Sequence, residues 1–469
     1  MTEGAGYQGA DQTGSSYDIV ILGGGSGGYA CALRAAELGK RVALIEQDKV
    51  GGTCLHRGCI PTKALLHAAE VADLAHDGPD IGLLTRLDGI DMAGVNAYKD
   101  KVVTRLWKGL TGLVASRKIE VVAGHGRLIS PTALQVGDRT LTGDHVVLAT
   151  GSDSRSLPGL QIDGRRIISS EHALQLDHVP SSVVVLGGGV IGVEFASVWR
   201  SFGAEVTIVE MLPHLLPTED ESSSKLLERA FRRRGIAFKT GTRFESVKDT
   251  PTGVTVTLEG GATLDAELML VAVGRGPVSA DLGYDAVGVA MDRGFVLVDE
   301  YCQTNIPSIS AIGDLRPGLQ LAHVGFAEGI MVAERLAGLN PPPIDYDGVP
   351  RITYSSPEVA SVGITSATAE ARGIPFTELT YDLAGNGKSQ ILQTSGAVKV
   401  LVADGGGRTL GVHVVGARAG DMIAEAQLIV NWEATPADVS QLIHPHPTQS
   451  EAIGEAFLAL AGKPLHNHG

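Results

Sequence analysis

The run Asp18-Ile19-Val20-Ile21-Leu22-Gly23-Gly24-Gly25-Ser26-Gly27-Gly28 decides the fold. Ile19 to Leu22 form an unbroken apolar run, the pattern of a strand buried on both faces of a parallel sheet. A glycine turn follows, then an alanine-rich helix through Leu38 and a second strand from Arg41 to Glu46, which completes one βαβ unit. The same order returns at Ser182-Val183-Val184-Val185-Leu186, with glycines, a helix through Phe202 and a strand from Glu205 to Glu210. Gly23 to Glu46 and Gly187 to Glu210 each span 23 positions, so the repeat agrees in register as well as type. Gly23, Gly25 and Gly28, and again Gly187, Gly189 and Gly192, suit the three needs of a pyrophosphate-binding turn. These are a tight bend, bare backbone beside the phosphates and close helix-strand contact.

Glu46 and Glu210 end the second strand of each unit, where a carboxylate accepts hydrogen bonds from a ribose diol. At Glu210 it would also repel a 2′-phosphate, and Met211-Leu212-Pro213-His214 offers no arginine to receive one, so NAD is expected over NADP. The fold class expected is α/β, with two Rossmann-like dinucleotide-binding domains. Further landmarks are Thr150-Gly151, Val273-Gly274-Arg275 and the strand from Ser308 that runs into Gly313-Asp314. Pro341-Pro342-Pro343 leads to a last domain of alternating strands and helices.

Composition narrows the class further. At 469 residues the chain calls for several domains, and 61 glycines with 43% hydrophobic residues fit a nucleotide-binding α/β protein. A formal charge of −15 disfavours nucleic acid or an anionic membrane as the main partner. The start Met1-Thr2-Glu3-Gly4 lacks a basic or apolar leader, and no apolar run reaches the roughly 18 residues of a span, so a cytoplasmic location is expected. Residues 1–15 read as a disordered tail.

Four cysteines are too few for a secreted disulfide framework. Cys31 and Cys302 are expected to be chemically silent. Cys54 and Cys59, in Gly51-Gly52-Thr53-Cys54-Leu55-His56-Arg57-Gly58-Cys59-Ile60-Pro61-Thr62-Lys63, read as a redox-active pair. In a straight helix, residues five apart point in different directions and sit beyond the roughly 7 Å reach of a disulfide, so the segment must bend. Gly58 supplies the bend, and Pro61 suits the first turn of a helix beginning near Cys59, whose N-terminus favours a thiolate. Zinc would need a second Cys or His pair nearby, and no metal is expected. The segment His444-Pro445-His446-Pro447-Thr448-Gln449-Ser450-Glu451 presents His446 from a stiff loop, with Glu451 able to reach back and orient the imidazole as a general base. His444 is as readily structural as catalytic.

With these motifs in this order, from Tyr17 to near the C-terminus, the chain resembles the pyridine nucleotide-disulfide oxidoreductases, and among them those that oxidise dihydrolipoyl groups. The resemblance implies FAD on the first fingerprint and NAD on the second. It implies an FAD-binding domain in two parts (16–153 and 276–346), an NAD-binding domain (154–275) and a C-terminal α+β dimerisation domain (347–469). Gly52, Thr53, Lys63, Thr150, Gly151, Gly313, Asp314, Leu321, Ala322 and His323 would contribute to the flavin site, with Asp314 receiving the ribityl hydroxyls. Glu194, Gly274 and Arg275 would serve the nicotinamide side, and Lys63 would pair with Glu194. Catalysis would rest on Cys54 toward substrate, Cys59 toward the flavin, Lys63 with Glu194 beside it, and His446 with Glu451 supplied by the other subunit of a homodimer. The expected substrate is dihydrolipoamide carried by the acyltransferase (E2) subunit of 2-oxo acid dehydrogenase complexes, or by the glycine cleavage system. An NADPH-dependent reductase of mycothione or glutathione disulfide is the alternative, which Glu210 opposes. A mercuric reductase would need a C-terminal cysteine pair, and no cysteine follows Cys302. His56-Arg57 stands where the family more often has Asn-Val or Asn-Arg, and Thr62 where serine is common.

Overall fold

The computed structural model describes residues 16–466, so the tail expected at 1–15 lies outside the described residues. Internal packing divides the chain into two units.

The first unit contains residues 16–56, 105–153 and 276–344. Its seven-stranded sheet runs Glu120–Ala123, Val42–Glu46, Ser16–Leu22, Arg139–Leu148, all parallel, and continues antiparallel into Ala133–Val136 and Gly126–Ser130. Ile309–Ala311 adds to Arg139–Leu148 in parallel. The central strand is buried on both faces, with Val20 and Ile21 at 0% exposure, which explains its unbroken apolar run. Each such side chain contributes about 1.5–3 kcal/mol by leaving water. The helix Ser26–Glu37 returns over the sheet and packs on Ala322–Leu336 through glycines. A Cβ at Gly329 would sit 2.4 Å from the Gly27 carbonyl oxygen, so the two backbones approach as no larger residue would permit.

The second unit contains residues 57–104, 154–275 and 345–466. A five-stranded parallel sheet is ordered Ala237–Lys239, Glu205–Val209, Ser182–Leu186, Leu268–Val271, Ile167–Ile168. The antiparallel meander Phe244–Asp249, Val254–Leu258, Thr263–Ala266 packs beside it, sharing a core that includes Val184, Val256 and Met269. The 19-residue helix Cys59–Asp77 packs on Val190–Ser201, with Leu65, Ala69 and Ala72 in one core with Val193 and Phe195. The C-terminal part is a five-stranded antiparallel sheet, Arg351–Thr353, Glu358–Gly363, Thr409–Gly416, Ala397–Ala403, Phe376–Asp382. Helices Ala419–Asn431 and Glu451–Leu460 share a core with this sheet, including Val400, Val414, Ile423 and Phe457. Among the described residues no helix is long and apolar enough to cross a membrane.

Candidate active site

The two fingerprint turns have the same geometry. Gly23 has φ +106° and Gly187 φ +109°, and a Cβ at either would lie 2.3 Å from a carbonyl oxygen of the neighbouring strand's end, Ala149 or Ala272. Only glycine fits there. The helices Ser26–Glu37 and Val190–Ser201 start directly after Gly25 and Gly189, aiming free N–H groups and the positive end of the dipole outward. A Cβ at Gly189 would meet nothing within 4 Å, and at Gly25 only the Gly52 Cα at 3.9 Å, so bare backbone faces open space in front of both helices. Glu46 accepts from the Gly24 N–H at 2.7 Å and from Asp48 at 2.8 Å; Glu210 accepts from Gly188 at 2.6 Å and Leu212 at 2.7 Å. These bonds fix both carboxylates at the turn, and each oxygen keeps a lone pair for a ribose hydroxyl. Both cradles fit a dinucleotide.

The rest of the first unit's expected site gathers at the strand ends. Thr150 donates to the Val278 carbonyl at 2.6 Å and lies 3.1 Å from the Tyr284 hydroxyl, while Gly151, φ +71°, accepts from Val278 N at 2.9 Å. Burial pushes the Tyr284 phenol far up, so it stays a neutral donor. Ser152 donates to Asp314 at 2.5 Å. Glu328, fully buried, accepts from Gly313 N at 2.6 Å and from Arg316, so a buried ion pair holds the Gly313-Asp314 turn. Leu321 caps the helix that Ala322 and His323 begin. Sequence reasoning missed Ser152, Arg316 and Glu328.

Cys54 and Cys59 lie on successive helices broken at Gly58, as the spacing requires. Gly52, Thr53 and Cys54 belong to the short helix Gly52–Arg57, whose entry is stitched to the first fingerprint by a 2.8 Å bond from Gly51 N to the Gly24 carbonyl. Both cysteines are half-buried. Cys54 has Tyr29 as a neighbour; burial first, and the Cys54 sulfur second, push that phenol up to about 12. Cys31, by contrast, is sealed inside its helix, where burial raises its thiol to about 12 and keeps it inert.

Cys59 is the first residue of its long helix, and Thr62 ties that turn to the Gly58 carbonyl with a 2.6 Å bond. Lys63, one turn on, donates to both oxygens of the buried Glu194 at 2.8 Å. Burial by itself would lower the Lys63 ammonium; Glu194 first and the Cys59 sulfur after it outweigh burial and hold it above the usual lysine value. Tyr354 completes the clamp, and the sequence offered no hint of it. Its ring lies 4.8 Å from the Lys63 nitrogen and its backbone N–H donates to Glu194 at 3.0 Å. The helix N-terminus and a fixed cation one turn away together favour a thiolate at Cys59. Gly274, φ +107°, accepts from Arg155 N at 3.0 Å, and Arg275 beside it is half-buried.

His446 stands in an exposed loop, its Nδ1 2.8 Å from Glu451, which begins the helix Glu451–Leu460 and also accepts from Thr448 N at 2.6 Å. Burial works against the Glu451 carboxylate, but the Thr448 N–H and then His446 outweigh it and leave its pKa lowered, so it is ionised at neutral pH. His444 has a different setting. Its Nε2 is 2.6 Å from Glu425, and its ring packs where a Cβ on Gly454 would come within 2.5 Å. The Glu425 hydrogen bond raises the His444 pKa. Stability from a raised histidine is fully present below the unfolded value of about 6.5 and fades as pH climbs through the folded value. Glu425→Gln is therefore expected to cost about 1 kcal/mol at pH 6 and markedly less at pH 9, measured by urea denaturation.

Residues 17–329 match the family described as pyridine nucleotide-disulphide oxidoreductase, and residues 349–457 match its dimerisation domain. The chain belongs to this family. Among relatives of this oxidoreductase, a dihydrolipoyl dehydrogenase of Bacillus subtilis is 41% identical over 96% of this chain and 99% of its own. A mitochondrial dihydrolipoyl dehydrogenase of Pisum sativum is 39% identical over 96% of this chain and 92% of its own. The crystal structure of LpdA from Mycobacterium tuberculosis superposes with a TM-score of 0.88 at 29% identity, covering 94% of this chain and 99% of that one. The HOCl-induced flavoprotein disulfide reductase RclA from Escherichia coli gives 0.84 at 29% identity, over 94% and 99%.

Proposed function

We propose that this chain oxidises dihydrolipoyl groups borne by the acyltransferase subunit of a 2-oxo acid dehydrogenase complex and reduces NAD⁺. Within the family, the observation that carries this choice is Glu210, fixed at the second ribose position by the Gly188 and Leu212 N–H groups with no arginine in the residues that follow to receive a 2′-phosphate. The near-full-length relatives named dihydrolipoyl dehydrogenase support it.

His446, oriented through Nδ1 by Glu451, takes a proton from the substrate dithiol at Nε2. The resulting thiolate attacks the Cys54 sulfur of the Cys54–Cys59 disulfide and expels Cys59 as a thiolate, which the helix N-terminus and Lys63 stabilise. The second substrate sulfur displaces Cys54 as its proton passes to the departing Cys54 sulfur, so the substrate leaves as a disulfide and both cysteines are reduced. FAD, held beside Cys59, would supply the two-electron redox chemistry that links the reduced cysteines to NAD⁺. Glu46 and the first glycine turn would hold FAD; Glu210 and the second would hold NAD. His446 serves the cysteines of the second copy in a homodimer.

Thiol titration of the holoenzyme tests the exchange. Dihydrolipoamide without NAD⁺ is expected to expose new reactive thiols at Cys54 and Cys59, identified by alkylation and peptide mass spectrometry. Labelling unchanged from the oxidised enzyme would refute it.

A further inference from the structure

We infer that His56 is a positioning residue that holds the Cys54 turn in register for thiol exchange. The helix carrying Cys54 has only six residues, Gly52–Arg57, too few to hold itself. Its entry is fixed from behind: Gly51 N donates to the Gly24 carbonyl at 2.8 Å and Gly52 N to Lys49 at 3.2 Å. Its far end is fixed by His56. The His56 Nε2 lies 3.1 Å from the Val50 carbonyl and donates to it, closing the helix back on its own lead-in residue. The ring also meets Trp107 edge-on, with centroids 6.1 Å apart and planes at 76°. Trp107 is itself held by ring contacts, with the Lys49 ammonium 5.6 Å from its ring centre. Cys54 therefore sits between two tethers, one on the fingerprint and one through His56.

His56 lies two residues beyond the sulfur it positions and has no part in the proton or electron transfers above. A glutamine at this place, whose amide nitrogen reaches about as far as Nε2, can donate to the same carbonyl, while alanine and phenylalanine cannot. Losing the tether frees the turn, which makes Cys54 easier to alkylate but worse placed for attack.

The experiment uses full-length holoenzyme with His56→Ala, His56→Phe and His56→Gln. In the reduced proteins, iodoacetamide labelling at Cys54, quantified against Cys59 by peptide mass spectrometry, is expected to rise about 3- to 10-fold in the alanine and phenylalanine variants, as for loss of one hydrogen bond. kcat/KM for dihydrolipoamide should fall by a similar factor, the glutamine variant should recover most of both, and NADH-ferricyanide turnover, which bypasses the cysteines, should not change. Wild-type behaviour of His56→Phe would show that the Val50 bond is no tether and overturn the inference, as would a parallel fall in ferricyanide turnover. The inference rests on the dithiol-oxidising reading, yet the labelling arm stands apart from it. A wild-type enzyme inactive on dihydrolipoamide would defeat that reading, while Cys54 labelling would still judge His56.

Discussion

Cys59→Ser is expected to abolish dihydrolipoamide oxidation, lowering kcat/KM by roughly 10⁴-fold or more, as when a covalent participant is removed. A serine oxygen occupies nearly the same space at the head of the Cys59–Asp77 helix, so the fold and the Lys63–Glu194 pair should persist. What is lost is the disulfide: Cys54 has no sulfur partner to expel, and the substrate thiolate has nothing to attack. Ferricyanide reduction by NADH should survive, because it needs the dinucleotide sites and not the sulfurs. Steady-state assays with both acceptors check this, and dithiol turnover at the wild-type rate would remove Cys59 from the mechanism.

His446→Gln is expected to lower dithiol oxidation by about 10²- to 10⁴-fold, the usual range for a general base. Glutamine keeps a polar side chain in the exposed loop but cannot take a proton near neutral pH. Glu451→Gln should cost less, about tenfold, because the imidazole remains and loses only the anion that orients it and favours its charged form. Since Glu451 has a lowered pKa, its support is present at neutral pH and disappears only as acid protonates it, so the wild type and Glu451→Gln should converge toward low pH. Dependence of kcat/KM on pH for both enzymes separates these roles.

The parts of the fold dictated by local sterics were legible in advance. Gly23 and Gly187 must be glycine because a carbonyl oxygen lies 2.3 Å from any Cβ, and that constraint writes itself into the chain twice at one spacing. Gly58 and Pro61 likewise marked the start of the Cys59 helix. What stayed hidden depends on residues distant in the chain and on groups with no local pattern. Glu328 looks like an ordinary helical glutamate, yet its neighbours Val324, Gly325, Gly329, Met331 and Val332 put it on the buried face, where it meets Arg316. A charge on an apolar helix face was the available signal. Tyr354 follows a three-residue strand, and nothing nearby announces that its ring would cover Lys63, 291 positions earlier. The Lys63–Glu194 pair spans 131 positions, and the resemblance, not residue spacing, suggested it.

Oxidation of a dihydrolipoyl dithiol with NAD⁺ is tested by a paired assay of the purified holoenzyme. Dihydrolipoamide with NAD⁺ is compared with mycothione or glutathione disulfide and NADPH, at matched concentrations. Rapid turnover of the first pair and little of the second is expected, with Glu210 barring the 2′-phosphate. Turnover with NADPH and a low-molecular-weight disulfide, without turnover of dihydrolipoamide and NAD⁺, would contradict it.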